Sequence, residues 1–254
     1  MNTLGRGLHA EWTKVFTQPG AGGLLLAVVI VTPALSMVAV SAAGCPPEGC
    51  DVDPAKLSLT GVALGQAIVA VLAALMIGGE YGTGMIRTTL TAMPRRTSVL
   101  AAKAAVLTAL VTASAAVAVA ASLVAGRLLL PSGVPPLSLG DGAVLRAAVG
   151  SVLYLALIAL LAFGVTTAVR DSATAAGIVL GLLYLFPLIT QAVSDEDWQR
   201  RLRQIGPMDA GLAVQATTDL QHLPIGPWKG LGVLALWAGA ALLAGGLLFH
   251  RRDA

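Results

Sequence analysis

Residues Ala147–Val193 read AAVGSVLYLALIALLAFGVTTAVRDSATAAGIVLGLLYLFPLITQAV. Two charge-free runs, Ala147–Val169 and Ala173–Val193, are parted by a short turn that holds the only charges of the stretch, Arg170 and Asp171. A charge at the centre of a bilayer costs roughly 2.5–3.5 kcal/mol, and a helix needs about 20 apolar residues to cross the hydrocarbon. Each run is long enough, so the stretch predicts two antiparallel membrane-spanning helices joined by almost no loop.

Four more runs of the same kind flank this hairpin. They are Gly22–Ala43, Leu59–Gly78, Val99–Val124 and Leu231–Phe249. Lys103 falls in the first turn of the third run, where its long stem is expected to carry the ammonium to the interface. The whole chain agrees. Of 254 residues 56% are hydrophobic and 11% charged, against about 25% charged in a soluble domain, and the mean hydropathy is +0.82. Such a chain cannot cover itself in water, and it is too apolar for intrinsic disorder. The reading is an all-α polytopic membrane protein with six spans. Thr32-Pro33 and Phe186-Pro187 predict kinks in the first and fifth of them.

The few charges are sorted. Six spans put both termini on one side, with nine Lys/Arg and four Asp/Glu for a sum of 9 − 4 = +5. The other side holds seven Lys/Arg and nine Asp/Glu, 7 − 9 = −2. Basic residues favour the cytoplasm, so the basic face is expected inside a bacterial cell membrane and the acidic face outside. Cys45 and Cys50, in the loop Cys45-Pro-Pro-Glu-Gly-Cys50, then lie outside. A local structural disulfide is expected there rather than two free thiols. His9, His222 and His250 are too scattered for a metal site.

Polar groups inside the spans are Gln66, Thr108, Thr112, Ser114, Thr166, Thr167, Thr190 and Gln191, most of them expected to bond to nearby backbone. Gly61-x-x-x-Gly65 and Gly177-x-x-x-Gly181 allow close helix crossing, within the chain or at a dimer seam. Pro187, Thr190 and Gln191 near the acidic end of the fifth span are candidates to line a cavity.

Three segments outside the spans carry pattern. Leu4–Thr17 reads as an amphipathic helix with Leu8, Trp12, Val15 and Phe16 on one face and Lys14 off it, suited to lie in the interface as an anchor or as an elbow touching a partner. Ser194-Asp-Glu-Asp197 reads as a capping box. It opens a helix with Trp198, Leu202 and Ile205 on one face and Arg200, Arg201 and Arg203 in its later turns. A break at Gly206-Pro207 and a second short segment, about Met208–Leu220, follow. This region reads as surface helices before the last span, either a solvated interfacial loop or a lid over a path. The third segment follows the second span: Gly78-Gly-Glu80-Tyr81-Gly-Thr-Gly-Met85-Ile86-Arg87-Thr-Thr-Leu90-Thr-Ala-Met-Pro94-Arg95-Arg96. Glu80 is expected to leave the membrane beside glycines. Met85–Leu90 can make about two helical turns, with Ile86 and Leu90 as i,i+4 neighbours, and Pro94 stops it. This is either a basic loop or a short cytoplasmic helix with an apolar face and a basic rim, fit to dock in a groove.

The pattern Glu-Tyr-x-x-Gly-x-Ile-Arg-Thr-Thr-Leu…Pro-Arg-Arg after the second span resembles the coupling segment of actinobacterial ABC-2-type permeases, the membrane subunits of ATP-binding-cassette exporters. Glu11-Trp12-Thr13-Lys14, the closing Arg251-Arg252-Asp253-Ala254 and the long loop before the last span are similar too. Met85 and Gly82-Thr83 depart from the family pattern. The resemblance implies one transmembrane domain over 1–254. It implies a homodimer or a pair of related permeases, each bound to a separate cytoplasmic ATPase that holds ATP and magnesium, with outward movement of an amphiphilic drug, peptide or lipid. Glu80, Tyr81, Met85, Ile86, Arg87 and Leu90 would then lie at or near the ATPase contact, and the short helices before the last span would cap the path. The chain has no Gly-x-x-x-x-Gly-Lys-Ser/Thr phosphate loop of its own, so this subunit is expected to have no catalytic residue and no cofactor. No nucleic-acid partner is expected.

Other classes fit less well. A membrane-embedded enzyme needs a Ser/His, His/Glu or paired-carboxylate constellation at membrane depth, and no span core carries His, Asp, Glu or Arg. An ion-coupled secondary transporter would show paired repeats or charged midplane helices. A non-transporting scaffold or sensor subunit stays compatible. For the orientation, Cys45 and Cys50 should react after reduction with an impermeant thiol reagent added to intact cells; labelling only after permeabilisation reverses it.

Overall fold

The chain is described by a computed structural model over residues 19–43, 52–83, 85, 96–130, 137–138 and 140–251. Four of its helices begin where an Asp side chain satisfies one or more of the first N–H groups. After α1 (Pro19–Ala42), Asp53 accepts from Ala55 and Lys56 N–H and opens α2 (Pro54–Ser58), with Pro54 where its missing N–H costs nothing. Then come α3 (Val62–Gly82) and α4 (Arg96–Leu129). Asp141 caps α5 (Gly142–Val169) through Ala143 N–H, and Asp171 caps α6 (Ser172–Leu180) through Thr174 N–H. A π turn, Gly181–Leu185, leads from α6 into α7 (Phe186–Gln191). Asp195 caps α8 (Glu196–Ile205) through Trp198 N–H. α9 (Pro207–Leu212), a 3-10 turn (Ala213–Gln215) and α10 (Pro227–Arg251) are the last elements among the described residues.

Six of these stretches are long and apolar enough to cross a membrane: Gly20–Ala42, Val62–Gly82, Thr97–Leu129, Gly142–Val169, Ser172–Gln191 and Pro227–Arg251. The chain is a multi-pass, all-helical membrane protein. Several helices overrun the charge-free runs. α4 continues past Val124 to take in Arg127, α5 starts before Ala147 to take in Arg146, and α10 starts at Pro227 with Lys229 inside it. A helix need not stop where the hydrocarbon stops, because long basic side chains reach the interface from its last turns. The second span starts later than Leu59, since residues 54–61 form α2 and a turn. The cap of α8 is Asp195 rather than Ser194, and the segment after it is helical only from Pro207 to Leu212 before the 3-10 turn.

The two prolines act differently. α1 runs unbroken through Pro33. In the fifth span the hydrogen-bond pattern changes at Gly181–Leu185, just before Pro187. Pro187 cannot donate to the carbonyl of Leu183, and its ring crowds that carbonyl. Widening the preceding turn relieves both. Gln191 ends that span, two residues short of Val193.

α5 is the central helix, buried along its length from Val144 to Thr167, with α3, α4, α6 and α10 around it and α1 against α3 and α4. The crossings are made by missing side chains. A Cβ on Gly164 would lie 2.5 Å from the Ala241 carbonyl carbon, and one on Gly245 would lie 2.5 Å from Gly164 O, so α5 and α10 meet backbone to backbone. Gly61 and Gly65 sit on Thr32 of α1, and Gly61 N–H donates to Ser36 Oγ at 3.1 Å. Gly177 has nothing within 4 Å and Gly181 only Leu185, so this pair faces outward. The hydroxyls of Thr108, Ser122, Ser151, Thr166, Thr167 and Thr190 donate to the carbonyl four residues back.

Overpacking a close crossing costs about 1–3 kcal/mol or more. Gly164→Val should therefore lower the melting temperature of the purified protein in detergent, while Gly177→Ala leaves it unchanged or higher; equal behaviour of the two would contradict the α5–α10 contact.

Candidate functional site

The strongest concentration of chemistry on the basic face lies where α3 ends and α4 begins. Glu80 is in the last turns of α3 and Lys103 near the start of α4. Lys103 Nζ donates to Glu80 Oε1 at 2.5 Å, and the side chains are 5% and 4% exposed. Two charges buried this deeply are tolerated because they are paired with each other. This corrects the expectation for Lys103, which turns inward onto Glu80 instead of snorkelling, and it buries Glu80 within the helical bundle. The physical reason is mutual, since neither group has a cheaper partner in lipid.

One residue further, the Tyr81 ring lies under the Arg170 guanidinium, 5.6 Å from centroid to Cζ, a favourable cation–π placement. Arg170 occupies the left-handed region (φ 66°) as the cap of α5, and its N–H donates to Thr166 O at 2.7 Å. Asp171 opens α6 at once, so the corner is two residues long. Gly78 lets Ser172 approach the α3 backbone, where a Cβ would collide with it. Glu80, Tyr81, Lys103 and Arg170 thus tie the end of α3, the start of α4 and the α5–α6 corner together, at the two ends of residues 84–95.

A second polar knot lies inside the bundle. Gln66 and Tyr154 are fully buried. Tyr154 OH donates to Gln66 Oε1, while Gln66 Nε2 donates to Ala63 O at 2.9 Å and faces Met208 Sδ at 3.2 Å. Tyr184 OH, from the π turn, donates to the same Ala63 O at 2.6 Å. Nearer the acidic face, Gln215 Nε2 donates to Ser151 Oγ at 3.1 Å and Arg146 Nη2 to Ala216 O at 2.7 Å. These bonds anchor α9 and the 3-10 turn to α3 and α5.

On the acidic face Asp53 does more than cap α2. Its carboxylate also accepts from the N–H groups of Thr217 and Thr218 and, at 2.6 Å, from the Thr217 hydroxyl. Burial pushes its pKa up, but the Thr217 hydroxyl and the backbone donors outweigh burial and hold it below the usual carboxylate value. Asp209 has the opposite balance: burial raises it and nearby Arg203 only partly offsets that. A cavity of about 320 Å³ lies between these elements, with Lys56, Arg203, Asp209, Pro187 and Gln191 in its wall.

The candidate residues separate accordingly. Pro187 and Gln191 reach that cavity, Thr190 is buried and bonds to Phe186 O at 2.9 Å, and Trp198 is 58% exposed with Arg201 stacked 5.6 Å over its ring. Glu80 and Tyr81 are together, and Met85 is 37% exposed. Trp12, Lys14, Cys45, Cys50, Ile86, Arg87 and Leu90 lie outside the described residues, as do the elbow and coupling helices that they suggested. Lys103, Arg170, Gln66, Tyr154 and Asp53 escaped the sequence reading as site residues. Lys103 had a signal: a lone cation inside one span and a lone acid at the end of the preceding one suggest a pair across a helical turn-back.

No family model matches the chain, and no curated protein matches it either. The likeness to ABC-2 permeases therefore rests on the residues quoted above.

Because Asp53 has its pKa lowered by folding, its contribution is fully present above the ordinary carboxyl range (about 3.9) and is lost as pH falls through the lowered folded value. The amides of Thr217 and Thr218 should keep their hydrogen-exchange protection at neutral pH and lose it in strong acid. Asp53→Ala should remove it at every pH, and unchanged protection in that variant at neutral pH would rule out the tie.

Proposed function

We propose that the chain is the membrane subunit of an ATP-binding-cassette exporter, working as a dimer of permeases with a separate cytoplasmic ATPase and moving an amphiphilic substrate outward. On this reading the basic face is cytoplasmic and the chain does no chemistry itself. The observation that supports it best is the buried Glu80–Lys103 pair. It joins the helix that precedes residues 84–95 to the helix that follows them, and the Ile-Arg-Thr-Thr-Leu stretch between those helices resembles a coupling element. Two helices locked to each other by a buried pair respond together to a push that reaches either one. Tyr81 beneath Arg170 carries the same push to the α5–α6 corner, and so to the central helix.

At the far side, the Arg146–Ala216 bond and the Gln66–Tyr154–Met208 knot bind the short stretch before α10 to two spans, α3 and α5, and the Asp53–Thr217 tie binds it to α2. That stretch would then move with the bundle as a cap over the path rather than as an independent flap.

Removing one member of a buried pair costs about 3–5 kcal/mol, whereas replacing both by uncharged groups is near neutral. Lys103→Met alone should reduce the amount of folded protein, and Glu80→Gln with Lys103→Met should restore it. The double variant, and separately Leu90→Asp, should insert normally yet lose substrate-stimulated ATPase activity or ATPase assembly in the reconstituted complex. Wild-type assembly and turnover in both would exclude the coupling role.

A further inference from the structure

One apolar cavity has no part in the coupling reading. It is an open groove of about 550 Å³ between α4 and α5, lined almost wholly by hydrocarbon. Val119, Leu123 and Val144 form its buried floor, and Val124, Leu145 and Val149, each 46–61% exposed, form its walls. Alanines at 116, 120 and 148 leave the space. Along α4 the groove runs from Thr112 to Val124, about 18 Å at 1.5 Å per residue. That is close to one leaflet of hydrocarbon, about half of 30 Å. It belongs to the half of the bundle toward the acidic face, because α4 ends and α5 begins there.

The mouth carries charge of both signs. Arg127 is one helical turn beyond Leu123 and Val124, inside the arc of α4 that lines the groove at 3.6 residues per turn, and it is exposed. Asp141, also exposed, is the cap of α5, one turn before Leu145. A guanidinium suits a phosphate, and a carboxylate suits an ammonium. A leaflet-long apolar slot with a cation and an anion at its interfacial end has the complement of a phospholipid with an amine headgroup.

We propose that this groove is a binding site for one acyl chain of a zwitterionic aminophospholipid, with Arg127 on its phosphate and Asp141 on its ammonium. The site stands whether or not the chain is a transporter, and its test does not involve an ATPase. The purified full chain would be placed in phosphatidylcholine nanodiscs doped with phosphatidylethanolamine bearing a photoreactive group in the acyl chain, and the labelled peptides mapped. Label should concentrate on residues 112–124 and 144–153. Ala120→Trp, which fills the slot, and Arg127→Gln should each lower it by about fivefold or more. Asp141→Asn, which keeps a good helix cap, should erase the preference for phosphatidylethanolamine over an equally photoreactive phosphatidylglycerol. If Ala120→Trp does not fold, the two surface variants carry the test. Label spread evenly over all lipid-facing helices, wild-type yield in Arg127→Gln, or chain-to-chain cross-links across the groove would overturn the site. Equal labelling by the two headgroups in the wild type would overturn the headgroup assignment.

Discussion

In a bilayer one apolar helix face gains nothing by leaving lipid for another apolar face, so association depends on how closely backbones can meet. This chain depends on that constraint throughout. Its helices are apolar on nearly every side, and the crossings fall where a side chain is missing: Gly164 and Gly245 between α5 and α10, Gly61 and Gly65 on α1, Gly78 beside Ser172, Gly230 against Ala210. At Gly65 a Cβ would meet the Thr32 side chain, and at each of the others it would meet backbone, push two helices apart and forfeit dispersion contacts along the interface.

Polar contacts then fix which helices meet, because a buried polar group is costly unless paired. They occur in three bands through the thickness of the bundle. Glu80 with Lys103 holds α3 to α4 near the basic face, Gln66 with Tyr154 holds α3 to α5 inside, and Asp53 with Thr217 holds α2 to the stretch before α10. Each joins residues far apart in the chain, so each is worth more to the specificity of the fold than to its local helices. The π turn at Gly181–Leu185 lies close to the middle band, and through Tyr184 it is bonded to the same carbonyl, Ala63 O, as Gln66.

The spans were legible because charge exclusion from hydrocarbon is a local rule that needs no partner. The α5–α6 hairpin could be read from Arg170-Asp171 alone. Span ends were less legible: Arg127, Arg146 and Lys229 mark where hydrocarbon ends, and helices continue beyond it. Glu80 and Lys103 were each visible, but their pairing depends on how α3 and α4 pack, which neither residue encodes by itself. Gln66 looked like any intramembrane amide, and Asp53 like a helix cap only, since their partners Tyr154 and Thr217 are 88 and 164 residues away. The two glycine pairs were alike in sequence, yet one faces α1 and the other faces out. A uniformly apolar helix gives no periodicity to tell its sides apart.

The two-residue corner at Arg170-Asp171 also sets the depth of two helices at once. No linker separates the arms: Arg170 closes α5 and Asp171 opens α6. Neither arm can slide along the bundle normal without dragging the other with it, so the close α5–α10 crossing at Gly164 and Gly245 fixes the height of α6 as well.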